Sequence, residues 1–159
     1  HIHRNGLEVA RSIERICKDG GKWFGEGDYK WRQLVDYASR DPTTAELSEL
    51  AQTSYEKALL EWRLSSEAAV TFLKQSPPDS FIELSYSDFV ANPIDSISQV
   101  LDFLGLSLNQ SIRQFASTKI QRQSPPIART QLSDKESMIG GNLLKLSLTS
   151  EKLTKHYTA

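Results

Sequence analysis

His1-Ile2-His3-Arg4-Asn5-Gly6-Leu7-Glu8-Val9-Ala10-Arg11-Ser12-Ile13 opens the chain, and its reading decides the fold. Ile2 stands between two histidines, as inside a strand. Asn5-Gly6 is a turn signal. From Leu7 on, Val9, Ala10, Ile13 and Ile16 follow helical spacing. The stretch predicts a strand end, a tight turn and a helix.

Lys18 to Lys30 holds four glycines and no period, which predicts a loop. A short helix is expected over Trp31, Leu34, Val35 and Ala38, broken by Asp41-Pro42. Thr43 with Glu46 makes a capping box. One apolar stripe from Leu47 through Trp62 to Leu73 then predicts a single helix over 43–74, roughly 45 Å long at about 1.5 Å per residue. Pro77-Pro78 ends it. Ser80 to Tyr86 reads as the best strand, with Ile82, Leu84 and Tyr86 on one face. Asn92-Pro93 starts a helix through Leu104, which Gly105 closes. Asn109 to Phe115 predicts one more short helix. Ser117 to Gly141 is expected to be a loop, with Pro125-Pro126 in it, and the tail from Thr149 is polar.

Only two strands are visible, too few for a stable sheet. A parallel arrangement needs helices on both faces and more strands. The expectation is an α/β fragment whose other strands precede residue 1.

The chain has 159 residues, 19 Lys+Arg against 20 Asp+Glu, and 38% hydrophobic residues. That suits about one domain. A net charge of −1 argues against nucleic acid held by bulk charge. No apolar run approaches about 18 residues, so no transmembrane helix is expected, and the start lacks a signal-peptide build. A cytoplasmic location is the expectation. Cys17, the single cysteine, forms no internal disulfide and founds no Cys-rich zinc site.

Three segments carry chemistry. Arg4 ends a strand and Ser12 follows in the next helix, where α/β sheets bind ligands and a helix start favours anions. A guanidinium fork and a hydroxyl suit phosphate. A surface Arg and an ordinary helical Ser fit the spacing as well. Tyr86 at a strand end suits a nucleotide, or the core with one satisfied hydroxyl. Asp88 suits a turn cap. Gly140-Gly141-Asn142 with Lys145 offers a close backbone approach, an amide and a point charge, or simply a turning loop.

Together these segments resemble the sulfotransferase family. Arg4 to Ser12 looks like that family's 3′-phosphate-binding segment. Tyr86-Ser87-Asp88-Phe89, through Asn92-Pro93 to Phe103-Leu104-Gly105-Leu106, is similar to its Tyr-Glu-Asp-Leu…Pro…Phe-Leu-Gly-Leu block. Glu61-Trp62 suits bacterial members. Gly140-Gly141-Asn142…Lys145 is similar to a Gly-Asn-x-x-Arg segment, with Lys in place of Arg.

The resemblance implies the helix-rich C-terminal part of a three-layer α/β/α fold of the P-loop nucleotide-hydrolase kind, with a parallel sheet. It spans 1–148, followed by a polar tail over 149–159. It implies the donor 3′-phosphoadenylyl sulfate, or its product adenosine 3′,5′-bisphosphate. Arg4 and Ser12 would hold the 3′-phosphate, Tyr86 would lie by the adenosine, and Gly141, Asn142 and Lys145 would close over the 3′-phosphate end. The family's 5′-phosphosulfate loop has no counterpart here, nor has a Gly-x-x-x-x-Gly-Lys-Ser/Thr loop. That half, an expected partner, would lie upstream. Nothing marks His1, His3 or His156 as a catalytic base, and no metal constellation is present. The acceptor, an alcohol, amine, carbohydrate, lipid or protein hydroxyl, stays open. Trp23, Phe24, Tyr29 and Trp31 suit an acceptor pocket or plain packing. Two alternatives remain: a helical interaction module with the 43–74 helix as its surface, and a fragment of a P-loop kinase.

Overall fold

In the computed structural model, which describes residues 1–120 and 132–149, two short parallel strands carry eight α-helices and one 3-10 turn (Glu26–Asp28). Strand β1 (Ile2–His3) pairs with β2 (Leu84–Ser85) in the register Ile2 to Leu84 and His3 to Ser85. Parallel neighbours need a long crossover. Here it contains four helices: α1 (Gly6–Lys18), α2 (Tyr29–Ala38), α3 (Pro42–Leu50) and α4 (Ser54–Gln75). After β2 come α5 (Tyr86–Ala91), α6 (Pro93–Phe103), α7 (Gln110–Lys119) and α8 (Asp134–Thr149).

The opening of the chain folds as expected. Asn5 caps α1, its side chain accepting from Leu7 N–H at 3.0 Å and Glu8 N–H at 3.4 Å. Leu7, Ala10 and Ile13 are buried. Gly6 is required by its neighbour: a Cβ there would lie 2.7 Å from the Trp62 indole. α6 ends as predicted. Gly105 has φ +69°, and Leu106 N–H reaches Leu101 O at 2.8 Å, a Schellman closure.

The single helix over 43–74 is instead two. Asp41, not Thr43, caps α3 through Thr44 N–H at 3.1 Å, with Pro42 at the first position. The chain breaks at Ala51, and the capping box that opens α4 is Thr53 with Glu56. The apolar stripe runs through both helices because both face the same core, which includes Leu47, Leu59, Trp62 and Val70.

The expected strand over Ser80 to Tyr86 shrinks to Leu84–Ser85, and Tyr86 already belongs to α5. Ser85 supplies the cap there, accepting from Asp88 N–H at 3.4 Å, so Asp88 lies inside the first turn. The loop expected over Ser117 to Gly141 is helical at both ends. α7 continues to Lys119, and α8 starts behind a second capping box: Glu136 N–H donates to Ser133 Oγ at 3.2 Å, and Ser133 N–H to Glu136 Oε2 at 2.9 Å. Pro125-Pro126 and residues 150–159 lie outside the described residues, whereas Thr149, given to the tail by its sequence, ends α8.

The two capping boxes cross. Glu56 Oε2 accepts from Thr53 N–H at 2.9 Å while its Oε1 meets Lys135 Nζ at 2.6 Å. Glu136 Oε1 accepts from Tyr55 Oη at 3.0 Å. Burial works to raise the Glu56 carboxyl. The Lys135 ammonium and the Thr53 and Gln52 amides outweigh it and hold the group below its ordinary value. α8 therefore docks on α4 at its start. Leu143 and Leu144 anchor it further along, in the core. Among the described residues, no helix is long and apolar enough to cross a membrane.

Candidate functional site

β1, α1 and α4 line a half-open cavity of about 490 Å³, within the usual range for small-ligand sites. One wall is His3 and Arg4 at the end of β1, with Val9, Ser12 and Ile16 along one face of α1. The other wall is Glu61, Trp62, Ser65 and Ser66 on one face of α4, flanked by Trp23.

The parallel register explains the centre of the site. His3 pairs with Ser85, so Arg4 and Tyr86 leave adjacent strands at the same level. This is the carboxyl edge, where α/β sheets take their ligands. The Arg4 guanidinium carbon lies 4.3 Å from the centroid of the Tyr86 ring. Arg4 Nε donates to Glu8 Oε2 at 3.2 Å, one helical turn on, and Trp62 Nε1 donates to Arg4 O at 3.0 Å. These contacts fix both the backbone and the side chain of Arg4. Its terminal guanidinium nitrogens make no hydrogen bond among the described residues. Because Asn5 already occupies two of the first amides of α1, an anion here would be gripped by side chains more than by the helix start.

Ser12 lies on α1 six residues after Gly6, about 9 Å along the axis, and shares the cavity with Arg4. The structure thus places Arg4 beside the Tyr86 ring and in one cavity with Ser12, while Tyr86 itself does not line that cavity.

Gly141, Asn142 and Lys145 do not line that cavity. Gly141 kinks α8 with φ +60° and ψ −160°. Arg63 packs against it and donates from Nη1 to Met138 O at 3.1 Å and Ile139 O at 3.3 Å. Beyond the kink, Leu143 and Leu144 turn into the core, and Asn142 and Lys145, three positions apart, share the exposed face. The packing of the two leucines sets that rotation.

Of the aromatic residues after α1, Trp23 reaches the cavity. Its Nε1 donates to Glu61 Oε2 at 2.9 Å, and Lys30 Nζ lies 4.3 Å from its ring centroid. Lys30 also pairs with Glu61 Oε1 at 2.6 Å. Phe24 is buried, packed edge-on to Trp31, and Tyr29 is exposed. His1 and His3 lie 3.8 and 3.9 Å from the Glu83 carboxylate.

Sequence reasoning passes over Glu8, Trp62, Lys30 and Glu61 as parts of the site. Glu8 was legible as the i+4 partner of Arg4. The bond from Trp62 to Arg4 and the clasp of Lys30 on Glu61 join distant segments and leave no local signal.

A family model described as the sulfotransferase family matches residues 1–110. The match includes Arg4, Ser12, Tyr86 and every residue of the cavity, and stops before α8. Neither a curated protein nor a solved structure matches the chain.

Proposed function

The chain belongs to the sulfotransferase family, and we propose that its Arg4, Ser12 and Tyr86 form the seat of the 3′-phosphate and adenosine of 3′-phosphoadenylyl sulfate. The observation that carries this reading is the Arg4–Tyr86 pair at the carboxyl edge of two parallel strands. A guanidinium whose terminal nitrogens make no hydrogen bond among the described residues, in one cavity with a serine hydroxyl, suits a phosphate dianion. The Tyr86 ring beside it offers a surface for a base. A role for Gly141, Asn142 and Lys145 would need the outer face of α8 to turn toward the cavity. In the same reading, β1 and β2 are neighbouring strands of the three-layer fold.

When bound, the donor supplies a sulfuryl group that passes to an acceptor oxygen or nitrogen; the acceptor loses a proton, and adenosine 3′,5′-bisphosphate departs. The part of Arg4 and Ser12 is to hold the 3′-phosphate, and so fix where the sulfur lies. Glu8 and Trp62 hold Arg4 in place for that task.

Two rival readings lose ground. An interaction module built on the 43–74 helix requires an exposed apolar stripe. Instead Ala58, Leu59, Trp62, Val70 and Leu73 are buried, and Phe72 is the large apolar side chain of α4 left in solvent. A P-loop kinase fragment is not the family that matches.

Calorimetry with adenosine 3′,5′-bisphosphate against adenosine 5′-monophosphate tests the reading. The bisphosphate binds tenfold or more tightly, and Arg4→Ala removes that preference. Equal affinity of the intact chain for the two nucleotides overturns it.

A further inference from the structure

We propose that Glu83, with His3 and His1, is a proton-operated positioning group behind the donor seat, and that it tightens the grip on the nucleotide's phosphate as pH falls. The inference rests on the sulfotransferase reading above and adds a means of regulation.

Strand register assembles the group. Leu84 N–H donates to His1 O at 2.9 Å, Ile2 pairs with Leu84, and His3 pairs with Ser85. Alternation along each strand turns His1, His3 and Glu83 to one face of the pair. Glu83 Oε1 lies 3.8 Å from His1 Nδ1 and 3.9 Å from His3 Nε2, and the two rings stand 6.1 Å apart. The His3 side chain is 6% exposed and that of Glu83 12%. Glu83 Oε1 is buried and accepts no hydrogen bond from any described residue. A carboxylate oxygen taken out of water without a hydrogen bond is costly unless a cation faces it.

No lysine or arginine among the described residues pairs with Glu83. The cations nearby are committed elsewhere: Arg4 to Glu8 of α1, Lys30 of α2 to Glu61 of α4, and the His1 α-amine to Ile82 O at 2.9 Å. The charge opposite Glu83 is therefore set by the two imidazoles, which exchange their protons between about pH 5 and 8. Across that range the three groups pass from one net positive charge to one net negative charge. His1 and His3 line the cavity together with Arg4. Protonated, they draw β1 onto the segment that leads to Tyr86 and add to the positive wall beside Arg4. Neutral, they leave a bare carboxylate behind a seat for a dianion, where salt screens it little.

The sign of the effect is distinctive. A phosphate monoester loses its second proton near about pH 6, so its own ionisation strengthens binding to a guanidinium as pH rises. The imidazoles act the opposite way.

The whole chain is titrated with adenosine 3′,5′-bisphosphate by calorimetry at about pH 6.5 and about pH 8. Parent affinity falls threefold or more at the higher pH, and His3→Gln removes most of the fall. Glu83→Gln shifts the NMR titration of the His3 ring proton to lower pH, a readout that a merely structural contact would leave in place. The parent alone carries a further readout should a variant misfold. In two buffers of different ionisation enthalpy, bisphosphate binding takes up protons near neutral pH. Affinity that is flat or rises with pH overturns the proposal, as does proton release on binding or a His3 titration unmoved by Glu83→Gln. Binding without the pH dependence overturns this proposal alone. Bisphosphate that binds at neither pH overturns the donor reading, and this proposal with it.

Discussion

Arg4 and Tyr86 leave neighbouring parallel strands one residue past a paired position, and the guanidinium carbon of one lies 4.3 Å from the ring centroid of the other. The contact ties the start of the chain to the segment that follows β2, at the edge where a nucleotide would be held.

Arg4→Ala therefore weakens adenosine 3′,5′-bisphosphate binding by tenfold or more, about 1.4 kcal/mol. Arg4→Lys recovers only part of it, because an ammonium lacks the planar fork. The cost to stability is about 1–3 kcal/mol, since the lost contacts are a mostly buried ion pair with Glu8 and one cation–π pair. Calorimetry and a melting curve on the same samples separate the two effects.

Gly6→Ala forces a methyl to within 2.7 Å of the Trp62 indole. Trp62 must shift, which strains its bond to Arg4 O. A loss of about 1–3 kcal/mol is expected on the scale of overpacked cores, measured by urea unfolding. Unchanged stability would show that the indole has room to move.

Gly141→Ala meets two obstacles. The backbone at φ +60°, ψ −160° is a region that side chains rarely enter, and a Cβ would lie 2.9 Å from Arg63 Cζ. About 1–3 kcal/mol is the scale of such strain. The melting temperature should fall while bisphosphate affinity holds, because Gly141 does not line the cavity. Lost affinity at unchanged melting temperature would return α8 to the binding site.

Glu56 gives a pH signature. Its folded value lies below the ordinary 4.5, so the unfolded chain takes up the proton first. The stability it contributes is complete above about pH 4.5 and fades as pH falls through the lower folded value. Glu56→Gln should cost about 1 kcal/mol at pH 7, a capping-scale loss. The gap between parent and variant should close in acid. Denaturant titrations at pH 7, 5 and 3 read it; a gap that stays constant contradicts the assignment.

Local chemistry made much of this fold legible. Asn5-Gly6, Asn92-Pro93 and Gly105 are decided by their own side chains and φ preferences, and each falls where the sequence puts it. The break between α3 and α4 was hidden because Thr43…Glu46 and Thr53…Glu56 have the same pattern. Only the second has Lys135 across from it, and no local rule records that. The start of α8 reads as a loop because its glycine pair looks like a turn, whereas the buried Ile139 before the kink and Leu143 and Leu144 beyond it hold the helix in the core. In the site, Arg4 and Ser12 are readable as a pair, one at the strand end and one in the helix that follows. The meeting of Arg4 with Tyr86 depends on strand register, and the Trp23–Glu61–Lys30 clasp on tertiary folding.

The crossed caps make α4 and α8 hostages to each other. Unravelling the first turn of one releases a carboxylate that the other helix holds, so neither end frays alone. Amide exchange at Thr53, Glu56, Ser133 and Glu136 should follow a single opening event. Two stretches separated by the whole middle of the chain would thus share one local stability.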